Sequence, residues 1–381
     1  MSQTYQQPQR RPRKRRFRRW LIRTLISFVF AISFLPLIGG VVLCRVLNPP
    51  EVAYAEPRDR LVTDEIENYY RGEDQSYLTV PEWYIVFNAD EFGFFLKEGN
   101  TSQFPWFQAI YQYWETYYAV CRQTGDHYPF NWRYQQILLI IGPSFTIENS
   151  VRALYAKSIS LVAEMTNLSG PTEEEIFYQK TQEEYGAWLH TVPWFKFPFQ
   201  ERRQQFWRET SMVDRGLIRK WERKFAISTE YLIKSVYGYF INQGAEASFG
   251  EIPLETFLWV DGFDEALLDQ QADLKLYKTL ENGEAIVSVP RYEQFTVVVP
   301  QLAEAGLQFL EIAGNDEIVM AVLVPEAWEY DLSAGEIFLE QTYLSKPELK
   351  RLVVTVPVEQ LHTVLLEVDD QKLTLEHLYD Y

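Results

Sequence analysis

Two cysteines and four histidines are all this 381-residue chain has of the side chains that most often hold metals. No Cys-x-x-Cys occurs. His127, His190, His362 and His377 stand apart, with no two at ligand spacing. That leaves no basis for a zinc site. Cys44 closes an apolar stretch and Cys121 falls inside an expected helix, so no internal disulfide is expected and stability should come from packing. Also missing are Gly-x-x-x-x-Gly-Lys-Ser/Thr, Gly-x-Gly-x-x-Gly, Gly-x-Ser-x-Gly and His-Glu-x-x-His. No cofactor is therefore expected. The chain lacks a basic body as well. Its net charge is −17, and removing the +8 of the first 19 residues leaves −25 on the remainder. An acidic body of this size argues against bulk nucleic-acid binding.

What is present begins with an anchor. Residues 24–44 carry no charge. At about 1.5 Å per helical residue they reach roughly 31 Å, near the hydrocarbon thickness of a bilayer. Eight basic residues and no acid precede them in the first 19 positions, and Arg23 adds a ninth. Basic residues stay on the cytoplasmic side. The N-terminus is expected in the cytoplasm, and the body on the extracytoplasmic (periplasmic or lumenal) side of the cell membrane. A cleaved signal ending at Ala53-Tyr54-Ala55 is the competing reading. It is opposed by the length of the apolar stretch and by Pro49 and Pro50 ahead of the site. The basic run reads as a topology signal that also attracts anionic lipid, rather than as a nucleic-acid patch.

The expected organisation is α+β. A basic tail (1–23) and a transmembrane helix (24–44) lead to a linker (45–76), then a mainly α-helical, aromatic-rich domain (77–252) and a ferredoxin-like α+β domain (273–381). Helices are expected from Pro81 to Gly99, from 104 to 123 and from 134 to 157. Others should cover 172–190, capped by Thr172 with Glu173, Glu174 and Glu175 in its first turn, and 215–242. The run Ile137-Leu138-Leu139-Ile140-Ile141 sits among only 14 uncharged residues between Arg133 and Glu148 and includes Pro143. It is expected to be a buried core helix, the alternative being a segment that dips into the membrane. After Pro253 the composition turns to short Val-, Ile- and Leu-rich runs. Ile286-Val287-Ser288-Val289-Pro290 is echoed by Val353-Val354-Thr355-Val356-Pro357. Each reads as a strand, a proline opening a helix, and a returning strand (308–312 and 372–377), with further strands at 317–324 and 336–343.

Chemistry is sparse. The main candidate surface is residues 192–224. Trp194 and Phe195 open it, and eight basic residues follow from Arg202 to Lys224, against Glu209, Asp214 and Glu222. Rings beside cations suit a headgroup-level surface. Trp194, Phe195, Arg202, Arg203, Arg219, Lys220, Arg223 and Lys224 are therefore expected to meet the membrane or an anionic lipid. The competing reading puts the rings in the core and pairs the cations with nearby acids. On the helix from 215, Ile218, Trp221, Phe225, Leu232, Val236 and Tyr239 share one face, with Arg219, Lys220, Arg223 and Lys224 largely opposite. Glu82, Glu115, His127 and Glu148 are weak candidates for acid–base chemistry. His190, ending a helix, reads as a dipole partner. The expected function is a single-pass, membrane-anchored binding or assembly module whose partner is the membrane, an anionic lipid or a membrane protein. The alternative is a membrane-tethered enzyme acting on an apolar substrate in an aromatic, carboxylate-lined pocket.

Overall fold

The computed structural model describes residues 58–381 except 126, 168–169, 215, 249–253 and 281–282, together with 20, 23–24, 27, 35 and 38–42. The expected anchor at 24–44 lies for the most part outside the described residues, as does the basic tail. Residues 38–42 are helical. Gly40 is buried, and a Cβ placed there would fall 2.1 Å from the Tyr117 ring. Val41 packs against the aromatic core.

The fold class is α+β. The helical part comprises α1 (Arg60–Thr63), α2 (Asp74–Leu78), α3 (Val80–Phe95), α4 (Trp106–Gly125), α5 (Trp132–Tyr155), α6 (Leu161–Met165), α7 (Glu173–Leu189), α8 (Phe199–Glu209) and α9 (Leu217–Ser248). Local chemistry accounts for several starts. Pro81 lies in the first turn of α3, where its missing N–H does no harm. The Asn131 side chain accepts from Tyr134 N at 3.1 Å and caps α5. Thr172 and Glu175 form a reciprocal capping box on α7. A π turn, Ala156–Ser160, joins α5 to α6, so the helical run Trp132–Met165 is continuous. By length and composition alone this run could cross a membrane. Its face at Gln135, Leu138, Gly142, Phe145, Asn149 and Ala153 is buried, as expected of a core helix. Its opposite face is not. At the α3–α7 contact, Gly93 and Gly186 permit close approach, since a Cβ on Gly93 would lie 3.1 Å from the Gln182 backbone.

The expected ferredoxin-like sheet is replaced by two four-stranded antiparallel sheets. The first holds β1 (Glu255–Asp261), β2 (Lys275–Thr279), β3 (Ala285–Pro290) and β4 (Gln308–Ile312) in the order β2-β3-β1-β4. The second holds β5 (Glu317–Pro325), β6 (Glu336–Thr342), β7 (Leu349–Pro357) and β8 (Thr374–Tyr379) in the order β6-β7-β5-β8. A short α10 (Ala266–Gln270) precedes β2; α11 (Glu293–Glu304) joins β3 to β4, and α12 (Val358–Asp370) joins β7 to β8. The strand–helix–strand units exist, but each belongs to its own sheet, because β1, which begins ahead of the boundary expected at 273, supplies the first unit with a central strand of its own. The two units share even their irregularities. The β1–β4 register shifts at Trp259/Val260 and the β5–β8 register at Ala321/Val322, the same place along each central strand. The β2–β3 and β6–β7 pairs shift at Leu276/Lys278 and Ile337/Leu339. The sequence echo is thus one piece of a duplicated β-β-β-α-β unit.

Helices α11 and α12 pack on each other, and each crosses to the other unit's returning strand, α12 on β4 and α11 on β8. Leu258, Phe309, Met320, Val354, Phe295 and Leu361 lie in the core between them. The outer face of the first sheet is covered by Ile66 and Tyr69, so the second half of the expected linker is packed rather than free. Tyr69 Oη donates to Glu311 at 2.7 Å. The outer face of the second sheet (Val319, Ala321, Leu339, Val353, Tyr379) joins the core of the helical domain with Tyr77, Trp83 and Phe87. Cys121 is disulfide-bonded, which overturns the expectation of unlinked thiols. The chain's other cysteine is Cys44.

Candidate functional site

The four residues considered for acid–base chemistry do not converge. Glu82 accepts from Tyr134 Oη at 2.9 Å. Glu115 accepts from Tyr111 Oη at 3.0 Å and Gln341 Nε2 at 2.9 Å. Glu148 pairs with Arg152 at 2.9 Å and Lys234 at 3.1 Å. His127 is exposed on its loop. Their partners come from different elements. A cavity of about 10 Å³ lies nearby, lined by Asp74, Tyr128, Asn131 and Gln135 among others, with room for no more than one water.

The aromatic-basic segment divides in two. On α9 the cations are inside. Arg219 is 1% exposed and Lys220 0%, and Arg223 and Lys224 are equally buried. Arg219 donates to Glu175 Oε1 at 2.6 Å and, from Nη1, to the Ser160 carbonyl at 3.0 Å and hydroxyl at 2.8 Å. Lys220 and Lys224 lie 2.9 and 3.1 Å from one oxygen of Glu174, which is itself fully buried. Lys224 also donates to Thr210 Oγ1 at 2.5 Å. Arg223 is held by Glu222 at 2.5 Å and Ser160 Oγ at 2.9 Å. These four are not presented to a headgroup; the pairing with local acids is the reading that holds for them. The ladder continues along the helix through Lys234–Glu148 and Arg152–Glu230. Because 148 meets 234, 152 meets 230 and 160 meets 223, α5–α6 and α9 run antiparallel.

On α8 the cations remain outside. Arg202 pairs with Glu184 at 2.6 Å. Arg203 and Arg208 flank an open hollow of about 510 Å³ with Gln204 and Trp207. Among the described residues neither has a carboxylate partner. Trp207 donates to Ser228 Oγ at 2.8 Å and meets the Trp221 ring at 6.4 Å. Trp194 stacks on Tyr237 at 5.3 Å, and the Phe195 backbone lies against Gly238. The hollow therefore sits at the N-terminal end of α9 and the Trp194 ring at its C-terminal end.

With its charges inward, α9 turns its apolar face out. Leu217, Ile218, Trp221, Phe225, Leu232, Ile233, Val236, Tyr239 and Phe240 are exposed, Phe225 at 66% and Phe240 at 67%. No exposed charge occurs between Leu217 and Phe240. The neighbouring run does the same with Ile140, Ile147, Val151, Leu154, Val162 and Met165. Across that stripe the exposed charges are Lys157 and Glu148, the latter tied to Lys234 and Arg152. This polarity is the reverse of a water-facing helix, whose apolar stripe turns inward.

A second cluster lies where the helical domain meets the second sheet, and the sequence did not point to it. Arg351 is 2% exposed and donates to Glu91 Oε1 at 2.9 Å and to Glu376. Glu91 also accepts from Leu344 N at 2.7 Å. Beside it, His190 bonds Asp90 through Nε2 at 2.5 Å and Glu293 through Nδ1 at 2.9 Å. Burial disfavours the imidazolium, yet the two carboxylates overcome this and lift its pKa to about 10. His190 occupies the C-cap position of α7, and its ring, read as a dipole partner, bridges α3 to α11. Buried His377, its ring centroid 3.6 Å from that of Trp83 at a tilt of 35°, is pushed well below the usual histidine range by burial and then by the nearby His190 charge. Nothing in sequence spacing brings Glu91, Arg351 and Glu376 together; the sheet order sets Arg351 near Glu376, and packing of α3 on the sheet brings Glu91.

The chain matches no protein-family model, no curated protein and no solved structure.

Proposed function

We propose that this chain is a single-pass, membrane-anchored binding or assembly module. Its N-terminus is cytoplasmic, its body lies on the extracytoplasmic side, and its helical domain is held against the membrane. The observation that carries this reading is the seat of residues 38–42 on α4. Near its end the apolar stretch sets Gly40 against Tyr117 and Val41 in the aromatic core, so this part of the anchor belongs to the helical domain's packing. Two further facts support it. The uncharged stretch and its basic flank have the length and asymmetry of a span. A disulfide at Cys121 suits an oxidising compartment, where a body outside the cytoplasm would fold.

The test uses the full chain in its own membranes. After an alkaline carbonate wash it should remain in the membrane pellet. A cysteine introduced at exposed Asp269 should react with a membrane-impermeant maleimide in intact cells. Release into the wash, or labelling only after permeabilisation, overturns the reading.

A further inference from the structure

We infer that the outer layer formed by α5, α6 and α9 is immersed in the bilayer, making a second lipid contact alongside the anchor. This rests on the anchored reading but adds a surface that the anchor does not require. The inference stands on the inverted polarity of the pair. Two antiparallel helices present apolar stripes outward, from Ile140 to Met165 and from Leu217 to Phe240. Their charges are neutralised between them and against α7. In water this arrangement is doubly unfavourable, exposing large apolar side chains while burying ions. In lipid both costs reverse, because charge must be paired internally and apolar surface is at home.

The bilayer is the occupant that the neighbouring structure favours. The anchor's end sits on Tyr117 and Tyr118 of α4. One turn earlier on the same helix, Tyr113 and Trp114 receive Gly142 of α5. The apolar layer and the anchor are thus carried by adjacent helices. The rim of the layer fits as well. Trp221 and Trp207 stand at one end with Arg203 and Arg208, which have no carboxylate partner among the described residues, and lipid phosphates would lie there. Tyr237, Tyr239 and Trp194 stand at the other. Amphipathic rings and arginines at the edge of an apolar face are what a helix pair lying in the interface needs, with immersion of about 5–10 Å.

The test is depth-resolved quenching on the full chain reconstituted in vesicles of phosphatidylcholine and phosphatidylglycerol. An environment-sensitive fluorophore goes on single cysteines introduced at exposed Phe225, Ile233 and Leu154, with Leu35 reporting the anchor and Asp269 the body. Lipids carrying a nitroxide high on the acyl chain should quench positions 225, 233 and 154 at least twofold, lipids carrying it near the chain end should quench 35, and neither should affect 269. Quenching at 35 alone overturns the immersed layer and leaves the anchor standing. Absence of quenching at 35 sinks the anchored reading itself. A photo-crosslinker at Phe225 should yield lipid adducts. An adduct at twice the chain's mass, or at another discrete protein mass, assigns the layer to a second copy or a protein partner and overturns the inference.

Discussion

Glu174→Leu is the substitution that most directly asks whether the charges of α9 are inside. Glu174 has no exposure and lies 2.9 Å from Lys220 and 3.1 Å from Lys224, both fully buried. Lys220 keeps a second partner in Glu173 at 3.1 Å, and among the described residues Lys224 keeps Thr210 and the faces of Phe206 and Trp207. Removing the carboxylate strands two ammonium groups away from water. Breaking a buried pair from one side costs about 3–5 kcal/mol. With a few degrees of midpoint per kcal/mol, that is a fall of roughly 6–15 °C. The assay is thermal unfolding of the full chain in mild detergent, followed by near-ultraviolet circular dichroism. Replacing all three groups by apolar residues (Glu174→Leu, Lys220→Met, Lys224→Met) should recover most of the loss, since an ion pair exchanged for well-packed apolar side chains is often neutral or better. A solvated residue at 174 would shift stability by only about 0.5 kcal/mol. A midpoint within about 2 °C of wild type for Glu174→Leu would therefore refute the inside-out arrangement.

Two other outcomes follow from the junction and the thiols. His190, with its pKa lifted to about 10 by Asp90 and Glu293, contributes stability that is fully present below about pH 6.5 and lost as pH rises through about 10. Across that window the unfolding free energy should fall by roughly 1 kcal/mol per pH unit, and His190→Gln should flatten the slope; equal slopes in the two proteins would contradict the bridge. Cys121 should appear in unreduced peptide maps joined to the Cys44 peptide, and recovery of Cys121 as a free thiol in freshly isolated membranes would contradict the disulfide.

Much of the local structure was legible in the residues themselves. The α7 cap at Thr172 and the strands around 286–290, 308–312, 317–325 and 353–357 fall where composition and punctuation place them. The proline that closes a strand ahead of a helix was readable twice. What misled was the assumption that two strand–helix–strand units share one sheet. Glu255–Asp261 follows a glycine- and proline-marked stretch and carries Trp and Phe rather than a simple alternation, so the first strand of the first unit was overlooked. The helix at Phe199–Glu209 was also hidden, because Pro198 and three basic residues resemble a charged loop as much as a helix.

Residue order alone determined the periodic division of α9 into an apolar and a cationic face, because a 3.6-residue repeat depends on nothing beyond the helix. It also determined the uncharged stretch with its basic flank. Which face of α9 turns inward was decided by tertiary structure. Acids from α7 and the hydroxyl and carbonyl of Ser160 arrive from distant segments and supply the partners without which four cations could not leave water. The same holds for His190 and Arg351, whose carboxylate partners are brought to them by packing and strand pairing between segments roughly 25 to 260 residues apart.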